Sequence, residues 1–214
     1  MGRKQKHFHP LYDPETWPQK VIPERGNQYP RDPTFPTFKD LRNFANIRLA
    51  PPAPRQIEHV VLDADDTIWD VHPWGMISLC KPDGRSTGNT LSCSAGPDTP
   101  GQVTLDPTLR ETLAKLKEKG IGISIASSND KKSVVDTLDA FGLLDQFSQV
   151  EADYTSAKST MVKRIAQKQN IPPERILFVD DGTFNVADVV RTGASGVLKY
   201  QDIEEIIDIL EFIE

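Results

Sequence analysis

The sequence has few of the features that mark nucleic-acid-binding, secreted or membrane proteins. Its 25 Lys and Arg residues are outnumbered by 31 Asp and Glu, so the net charge of −6 gives no basic surface for nucleic acid. Two cysteines are too few for a disulfide framework, and there is no CxxC motif. No apolar run is long enough to span a membrane or to form a signal-peptide core. We therefore expect a cytoplasmic protein that binds neither nucleic acid nor membrane.

Proline is concentrated near the N-terminus. Hydrophobic residues make up only 37% of the chain, and ten of the 17 prolines lie in its first 55 positions. Proline at this density interrupts both helices and sheets. Residues 1–56 are therefore expected to form a disordered tail or an extended arm, and residues 57–214 a globular domain. Phe35, Phe38 and Phe44 favour an arm, which can lie on the domain or hold a homodimer together.

Beyond the proline-rich segment, short apolar runs alternate with amphipathic ones. This alternation predicts an α/β domain, in which a parallel sheet with right-handed crossovers carries helices on both faces. In such sheets, ligands bind beyond the carboxyl ends of the strands. The predicted strands are 58–63, 121–126, 148–150, 175–179 and 195–198, and the predicted helices are 107–119, 130–141, 156–169, 184–192 and 203–212.

Carboxylates cluster where two of these strands end. The first strand ends at Asp63, Asp65 and Asp66, and the fourth ends at Asp180 and Asp181. Acids at the end of a buried strand repel one another unless a cation or a reaction requires them. The expected metal ligands are Asp63, Asp181 and the backbone carbonyl of Asp65, with Asp180 in support. Such an all-oxygen set favours Mg²⁺ over zinc.

The same strand ends supply the groups that phosphoryl transfer needs. Asp63 is the candidate nucleophile, because a carboxylate can form an aspartyl-phosphate. Asp65, two residues on, points to the same side and can protonate the leaving oxygen and then accept a proton from water. Ser127 and Lys158 can hold the phosphoryl group. Asn185 can steady the acidic loop after the fourth strand.

Each of these residues also has a purely structural interpretation. The acidic motifs can form turns or helix caps. Ser127 can cap the helix that begins near Asp130, and Lys158 can be a solvated helix residue, with Lys163 taking its role. Function is favoured because all the candidate sites occur in the correct order and at strand ends.

Four segments of the chain resemble the motifs of the haloacid dehalogenase superfamily. Within it, the chain is most similar to the magnesium-dependent phosphatase-1 group, because Trp69 follows the first motif and Tyr154 lies four residues before Lys158. Asn185 and Asp188, after the paired acids, add to this similarity, which extends to about residue 200 and leaves out the proline-rich N-terminus. The segments are Asp63-Ala64-Asp65-Asp66-Thr67, Ile125-Ala126-Ser127, Lys158 and Phe178-Val179-Asp180-Asp181.

The resemblance implies a Rossmann-like sheet, dependence on Mg²⁺ and an aspartyl-phosphate intermediate at Asp63. Phosphatases and phosphomutases of this superfamily have an aspartate at the place of Asp65, whereas its dehalogenases lack one. A hydrolase or mutase is therefore favoured over a dehalogenase. Ser127, Ser128, Asn129, Lys158 and Trp69 are the residues expected to bind the substrate.

We therefore expect a phosphomonoester hydrolase that acts on phosphotyrosine-like or sugar phosphate substrates, carried by a small molecule or a phosphoprotein. Two alternatives stay open. One is a phosphotransferase or phosphomutase of the same superfamily. The other is a catalytically silent domain of this fold that serves in binding, with the proline-rich arm as its surface.

The insertion at about 70–104, after the first strand, is too short to form a large cap domain. It is expected to form a minimal cap, a short β-hairpin flap with Met76–Cys80 and Thr90–Cys93 as its arms and 82–84 as its turn. Such a cap leaves the site open. An open site suits a phosphate on a macromolecule, or a small ester if a second subunit covers it.

The aromatic and sulfur-containing residues of this insertion have alternative roles. Trp69, His72 and Trp74 can stack on a sugar or aromatic leaving group, or simply pack within the flap. Cys80 and Cys93 can face each other across the hairpin. With His72 they would imitate a zinc site, but a fourth ligand is missing.

Overall fold

The computed structural model describes residues 56–73, 75–86, 88–96 and 99–213. The predicted N-terminal arm, apart from its last residue, lies outside the described residues, as does Trp74. The order of that arm and its role in a homodimer therefore stay predictions. No helix in the described part of the chain is long and apolar enough to cross a membrane.

Strands and helices alternate from the middle of the chain onward, as predicted. The segment predicted as a helix at 203–212 is a 3₁₀-helix, Ile206–Phe212, and not an α-helix. Its buried Ile206 and Ile209 are three residues apart, which suits three residues per turn. The strands are β1 (His59–Leu62), β2 (Trp69–His72), β3 (Lys81–Pro82), β4 (Thr90–Gly96), β5 (Thr99–Leu105), β6 (Gly122–Ser127), β7 (Gln149–Ala152), β8 (Ile176–Asp180) and β9 (Ser195–Leu198), and the α-helices are α1 (Leu109–Glu118), α2 (Lys131–Ala140), α3 (Lys158–Gln169) and α4 (Thr183–Val190).

The main sheet is parallel and confirms the predicted α/β class. Its five strands are hydrogen-bonded in the spatial order β7–β6–β1–β8–β9. Leu62 of β1 belongs to an apolar core that includes Leu113 of α1, and the same core includes side chains of α2. Val61 points to the opposite face and packs in a second core with Met161 of α3 and side chains of α4. Helices therefore cover both faces, and the first strand lies in the middle of the sheet.

The insertion after β1 is more than the predicted hairpin. Residues 69–105, here called the flap, form a four-stranded antiparallel sheet in the order β2–β5–β4–β3. The predicted arm at Met76–Cys80 is wrong, because it contains a short 3₁₀-helix, Ile77–Leu79, and the two-residue β3 follows it. The other predicted arm, Thr90–Cys93, is confirmed as the start of β4.

Two residues that disfavour strands concealed β5 in the sequence. Pro100 and Gly101 lie near its beginning, where β5 pairs with β4 alone. Pairing with β2 starts at Gln102 and runs to Leu105. Proline is tolerated where one side of a strand needs no hydrogen-bond partner, so this strand accommodates both residues at its start.

A disulfide joins the two cysteines of the flap. Cys80 immediately precedes β3 and Cys93 lies in β4, with their Cα atoms 5.5 Å apart and each residue 1% exposed. The zinc site considered for these cysteines with His72 is therefore wrong, because both sulfur atoms are already bonded to each other. The bond closes a loop with a sequence separation of 13 residues.

Reduction of this disulfide is expected to destabilise the protein. Freeing a loop of this length raises the conformational entropy of the unfolded chain, which predicts a loss of about 3 kcal/mol. Urea unfolding with and without a dithiol reductant measures the loss. The double variant Cys80→Ser, Cys93→Ser is the control, since the reductant has nothing to act on. Identical unfolding midpoints for oxidised and reduced wild type would contradict the bond.

A buried histidine at the start of β1 makes stability depend on pH. His59 is 1% exposed, its Nε2 lies 2.8 Å from Ser124 Oγ, and burial lowers its pKa from 6.5 to about 4. A Cβ on Gly122 would lie 2.3 Å from His59 Nδ1, so glycine makes room for the ring. The folded state therefore binds this proton less readily than the unfolded state does.

We expect His59 to reduce the free energy of unfolding by up to about 3 kcal/mol as the pH falls from 6.5 to about 4. Below pH 4 both states are protonated and the loss is complete; above pH 6.5 it vanishes. Urea unfolding of wild type and His59→Gln across this range isolates the effect as the difference between the two curves. Parallel curves would show that His59 makes no such contribution.

Candidate active site

Three adjacent strands deliver the candidate residues to one edge of the sheet. Asp63 directly follows β1, Ser127 ends β6 and Asp180 ends β8, and β1 lies between the other two. The backbone N–H of Asp63 donates to Val179 O at 2.9 Å, which extends the pairing of β1 with β8 to the carboxylate itself. The predicted meeting of the two acidic strand ends is therefore present in the structure.

Asp63, Asp180 and Asp181 form a cluster that can hold a metal ion. Each offers a carboxylate oxygen, and these oxygens lie within 4.8 Å of one another. Asp180 is fully buried, and its Oδ1 accepts from Gly182 N at 2.7 Å and Asn185 Nδ2 at 2.9 Å. Asn185 thus makes the contact with the acidic loop that the sequence predicted. Asp180 Oδ2 is buried, accepts no aligned hydrogen bond from the described residues and lies 3.1 Å from the Lys158 ammonium, so it keeps lone pairs for a metal ion.

The cluster is electrostatically unfavourable in the absence of a cation. Burial raises the pKa of Asp63 well above its usual value; Lys158 opposes this rise, and the charges of Asp180 and Asp181 add to it. Burial, with the charges of Asp180 and Asp66, raises the pKa of Asp181 to about 7. A divalent cation would relieve this repulsion, and carboxylate oxygens are ligands that Mg²⁺ prefers.

Lys158 supplies a positive charge inside the cluster. It is the first residue of α3 and is 2% exposed. Its Nζ donates to Asp63 Oδ1 and to Ala126 O, the latter at 2.7 Å, and lies 3.1 Å from Asp180 Oδ2. Burial by itself lowers the pKa of Lys158, but the charges of Asp180 and Asp63 outweigh it and raise the pKa. Lys163, the alternative considered, is exposed.

Asp65 is held beside the cluster by three hydrogen-bond donors. Its Oδ1 accepts from Trp69 Nε1 at 2.8 Å and from Ile77 N at 3.1 Å. Its Oδ2 accepts from Asn129 Nδ2 at 2.5 Å. Trp69 is 1% exposed, so the structure favours packing within the flap over stacking on a substrate. In the sequence, the separation of four residues was the one indication that the side chains of Asp65 and Trp69 could form a hydrogen bond.

The segment after β6 presents two buried residues and one exposed residue. Ser127 is 2% exposed and Asn129 is fully buried, whereas Ser128 is exposed. Asp130 caps α2, because its Oδ2 accepts from Ser133 N at 2.8 Å. Ser127 is therefore not the cap of this helix, and the interpretation of Ser127 as a helix cap is wrong. Its expected role in holding phosphate stays a prediction.

A buried ion pair that the sequence did not reveal supports the first acidic loop. Lys199 Nζ donates to Asp106 Oδ2 at 2.7 Å and to Thr67 O, and both charged side chains are 4% exposed. Thr67 Oγ1 in turn accepts from Asp181 N at 3.1 Å. The sequence contained one indication of this ion pair: Lys199 directly follows an apolar strand, as the acids of the candidate site do.

Loss of Lys158 is expected to destabilise the fold. Lys158→Met leaves the buried carboxylates of Asp63 and Asp180 without their cation, which we expect to cost about 3 kcal/mol or more. The matched control is Lys163→Met in the same helix, whose exposed side chain predicts a change within about 0.5 kcal/mol. Urea unfolding at neutral pH without divalent cations compares the two. Equal destabilisation by both variants would contradict the burial of the Lys158 charge.

Comparison with known proteins finds one family and several relatives. The family model of haloacid dehalogenase-like hydrolases matches residues 98–187. Human magnesium-dependent phosphatase 1 is 29% identical over 136 residues, which cover 63% of this chain and 73% of that protein.

The solved structures that share the fold include two that are named as phosphatases or as containing a phosphatase domain. One is a predicted phosphoglycolate phosphatase from Haemophilus somnus 129PT, with a TM-score of 0.55 and 16% identity over 73% of this chain and 98% of that chain. The other is the N-terminal part of protein BF1531 from Bacteroides fragilis, which contains a phosphatase domain complexed with Mg. Its TM-score is 0.50, with 21% identity over 69% of this chain and 37% of that one.

Proposed function

We propose that the chain is a member of the haloacid dehalogenase superfamily and a Mg²⁺-dependent phosphomonoester hydrolase with Asp63 as its nucleophile, which the matches to the family model and to human magnesium-dependent phosphatase 1 support. The observation that carries this proposal is the position of the Asp63 carboxylate. It belongs to the cluster with Asp180 and Asp181 and also accepts a hydrogen bond from Lys158. The site thus combines a nucleophile, candidate metal ligands and a fixed positive charge, all of which phosphoryl transfer requires.

The residues of the cluster fit Mg²⁺. Asp63, Asp180, Asp181 and the backbone carbonyl of Asp65 would hold it, and every donor is an oxygen. The buried Oδ2 of Asp180, which accepts no aligned hydrogen bond, supports this assignment. When bound, the ion neutralises charge on the phosphoryl oxygens and on the carboxylates around it.

The protein's own residues carry the two displacements. A carboxylate oxygen of Asp63 attacks phosphorus, the bond from phosphorus to the leaving oxygen breaks, and Asp65 gives its proton to that oxygen. Water then attacks the aspartyl-phosphate, Asp65 takes its proton, and phosphate and the free Asp63 carboxylate result. The Ser127 hydroxyl and the Lys158 ammonium hold the phosphoryl group through both steps.

The surroundings of the site favour ring-shaped leaving groups. The Tyr154 hydroxyl donates to Asn129 Oδ1 at 3.2 Å, and the residue is 57% exposed, so an accessible aromatic side chain lies two hydrogen bonds from the proposed acid. We propose phosphotyrosine-like or sugar phosphate substrates, on a small molecule or a phosphoprotein. Trp69, for which stacking on the leaving group was one of two alternatives, is buried.

Hydrolysis of p-nitrophenyl phosphate tests this proposal. We expect wild type to require Mg²⁺ and to lose activity in EDTA. Asp63→Asn removes the nucleophile without changing its size and should lower turnover at least about a thousandfold. The matched control, Asp145→Asn, alters an exposed aspartate and should retain wild-type activity. Circular dichroism checks that both variants fold. Full activity of folded Asp63→Asn would overturn the nucleophile assignment.

A further inference from the structure

The hydrogen bonds to Asp65 leave one lone-pair position of its carboxylate open. A carboxylate has about four lone-pair positions. Among the described residues, Oδ1 accepts two hydrogen bonds, from Trp69 and Ile77, and Oδ2 accepts one, from Asn129. The remaining position is therefore on Oδ2. An acid that donates a proton to a leaving group from this position must keep Oδ2 aimed at the substrate, and Asn129 is the residue that holds Oδ2.

The amide of Asn129 is itself fixed in one orientation. Its Oδ1 accepts from Asp130 N at 2.8 Å and from the Tyr154 hydroxyl at 3.2 Å. Because the oxygen is occupied by two donors, the NH₂ group faces Asp65. Asn129 is fully buried, so turning the amide over would bring its NH₂ group against these donors and leave Asp65 Oδ2 facing an oxygen.

We propose that Tyr154, acting through Asn129, is a positioning residue that keeps Asp65 Oδ2 aimed at the leaving oxygen. This inference rests on the proposed hydrolase function. Tyr154 is a suitable subject for a test because its ring is 57% exposed and contributes little to the core. Its hydroxyl is the last member of a chain of two hydrogen bonds that leads from the surface to the acid.

The reaction that depends on this proton is departure of a basic leaving group. Phenolate is more basic than p-nitrophenolate and needs a proton from Asp65 as the bond to phosphorus breaks. The ratio of kcat/KM for p-nitrophenyl phosphate to kcat/KM for phenyl phosphate therefore measures how well Asp65 donates. Since kcat/KM reports formation of the phosphoenzyme, the later attack of water does not enter the ratio.

Tyr154→Phe should increase this ratio. Loss of one hydrogen bond predicts a fall in kcat/KM for phenyl phosphate of roughly three- to tenfold. The value for p-nitrophenyl phosphate should change by less than about twofold, because its leaving group needs little protonation. Asn129→Ala should increase the ratio further, and unchanged unfolding midpoints exclude a general loss of structure.

A second comparison distinguishes positioning from direct contact with the substrate. In an Asp65→Asn background there is no proton to position, so adding Tyr154→Phe should leave both kcat/KM values unchanged. A Tyr154→Phe effect that persists in this background would mean that the Tyr154 hydroxyl itself contacts the leaving group, and would overturn the inference. So would an unchanged ratio in an active Tyr154→Phe enzyme. Absence of any Mg²⁺-dependent activity in wild type would instead overturn the proposed function, and the inference with it.

Discussion

The main constraint on this structure is the repulsion among carboxylates that are largely shielded from water. Asp63, Asp180 and Asp181 bring oxygens within 4.8 Å of one another, where like charges raise each other's pKa. The fold meets this cost in two ways. Lys158 places a buried ammonium between two of the acids, and Gly182 and Asn185 donate to Asp180. A bound cation can neutralise the negative charge that Lys158 and these hydrogen bonds leave uncompensated.

The acid of the site and the flap are structurally one unit. Ile77, in the short helix of the flap, donates its backbone N–H to Asp65, and Trp69, on the first flap strand, donates its indole Nε1–H. Cys80, three residues after Ile77, is bonded to Cys93 in β4. The flap therefore does more than border the site, because its backbone and a disulfide hold the groups that orient the proposed acid.

The sequence alone was sufficient to predict the strand ends at which the site lies. Strand ends can be recognised from apolar runs that stop at charged residues, and this placed Asp63, Ser127 and Asp180 at strand ends, which the structure shows to be neighbours. Such patterns do not reveal which side chains meet across the fold. Asn129 reaches Asp65 over 64 residues and Lys199 reaches Thr67 over 132, and neither contact leaves a periodicity to detect. The flap strand β5 was missed because Pro100 and Gly101 lie at its start, and packing overrides their local preference.

The central position of β1 has a consequence for how the protein is made. His59 pairs with Gly122 on one side and with Ile176 on the other, so the first strand of the sheet has partners that are synthesised much later. During synthesis, the nucleophile candidate leaves the ribosome well before β8 and the acids at its end. The buried charges therefore cannot come together until β8 has been synthesised. Pairings this distant in sequence are also slow to form, since long loops must close first.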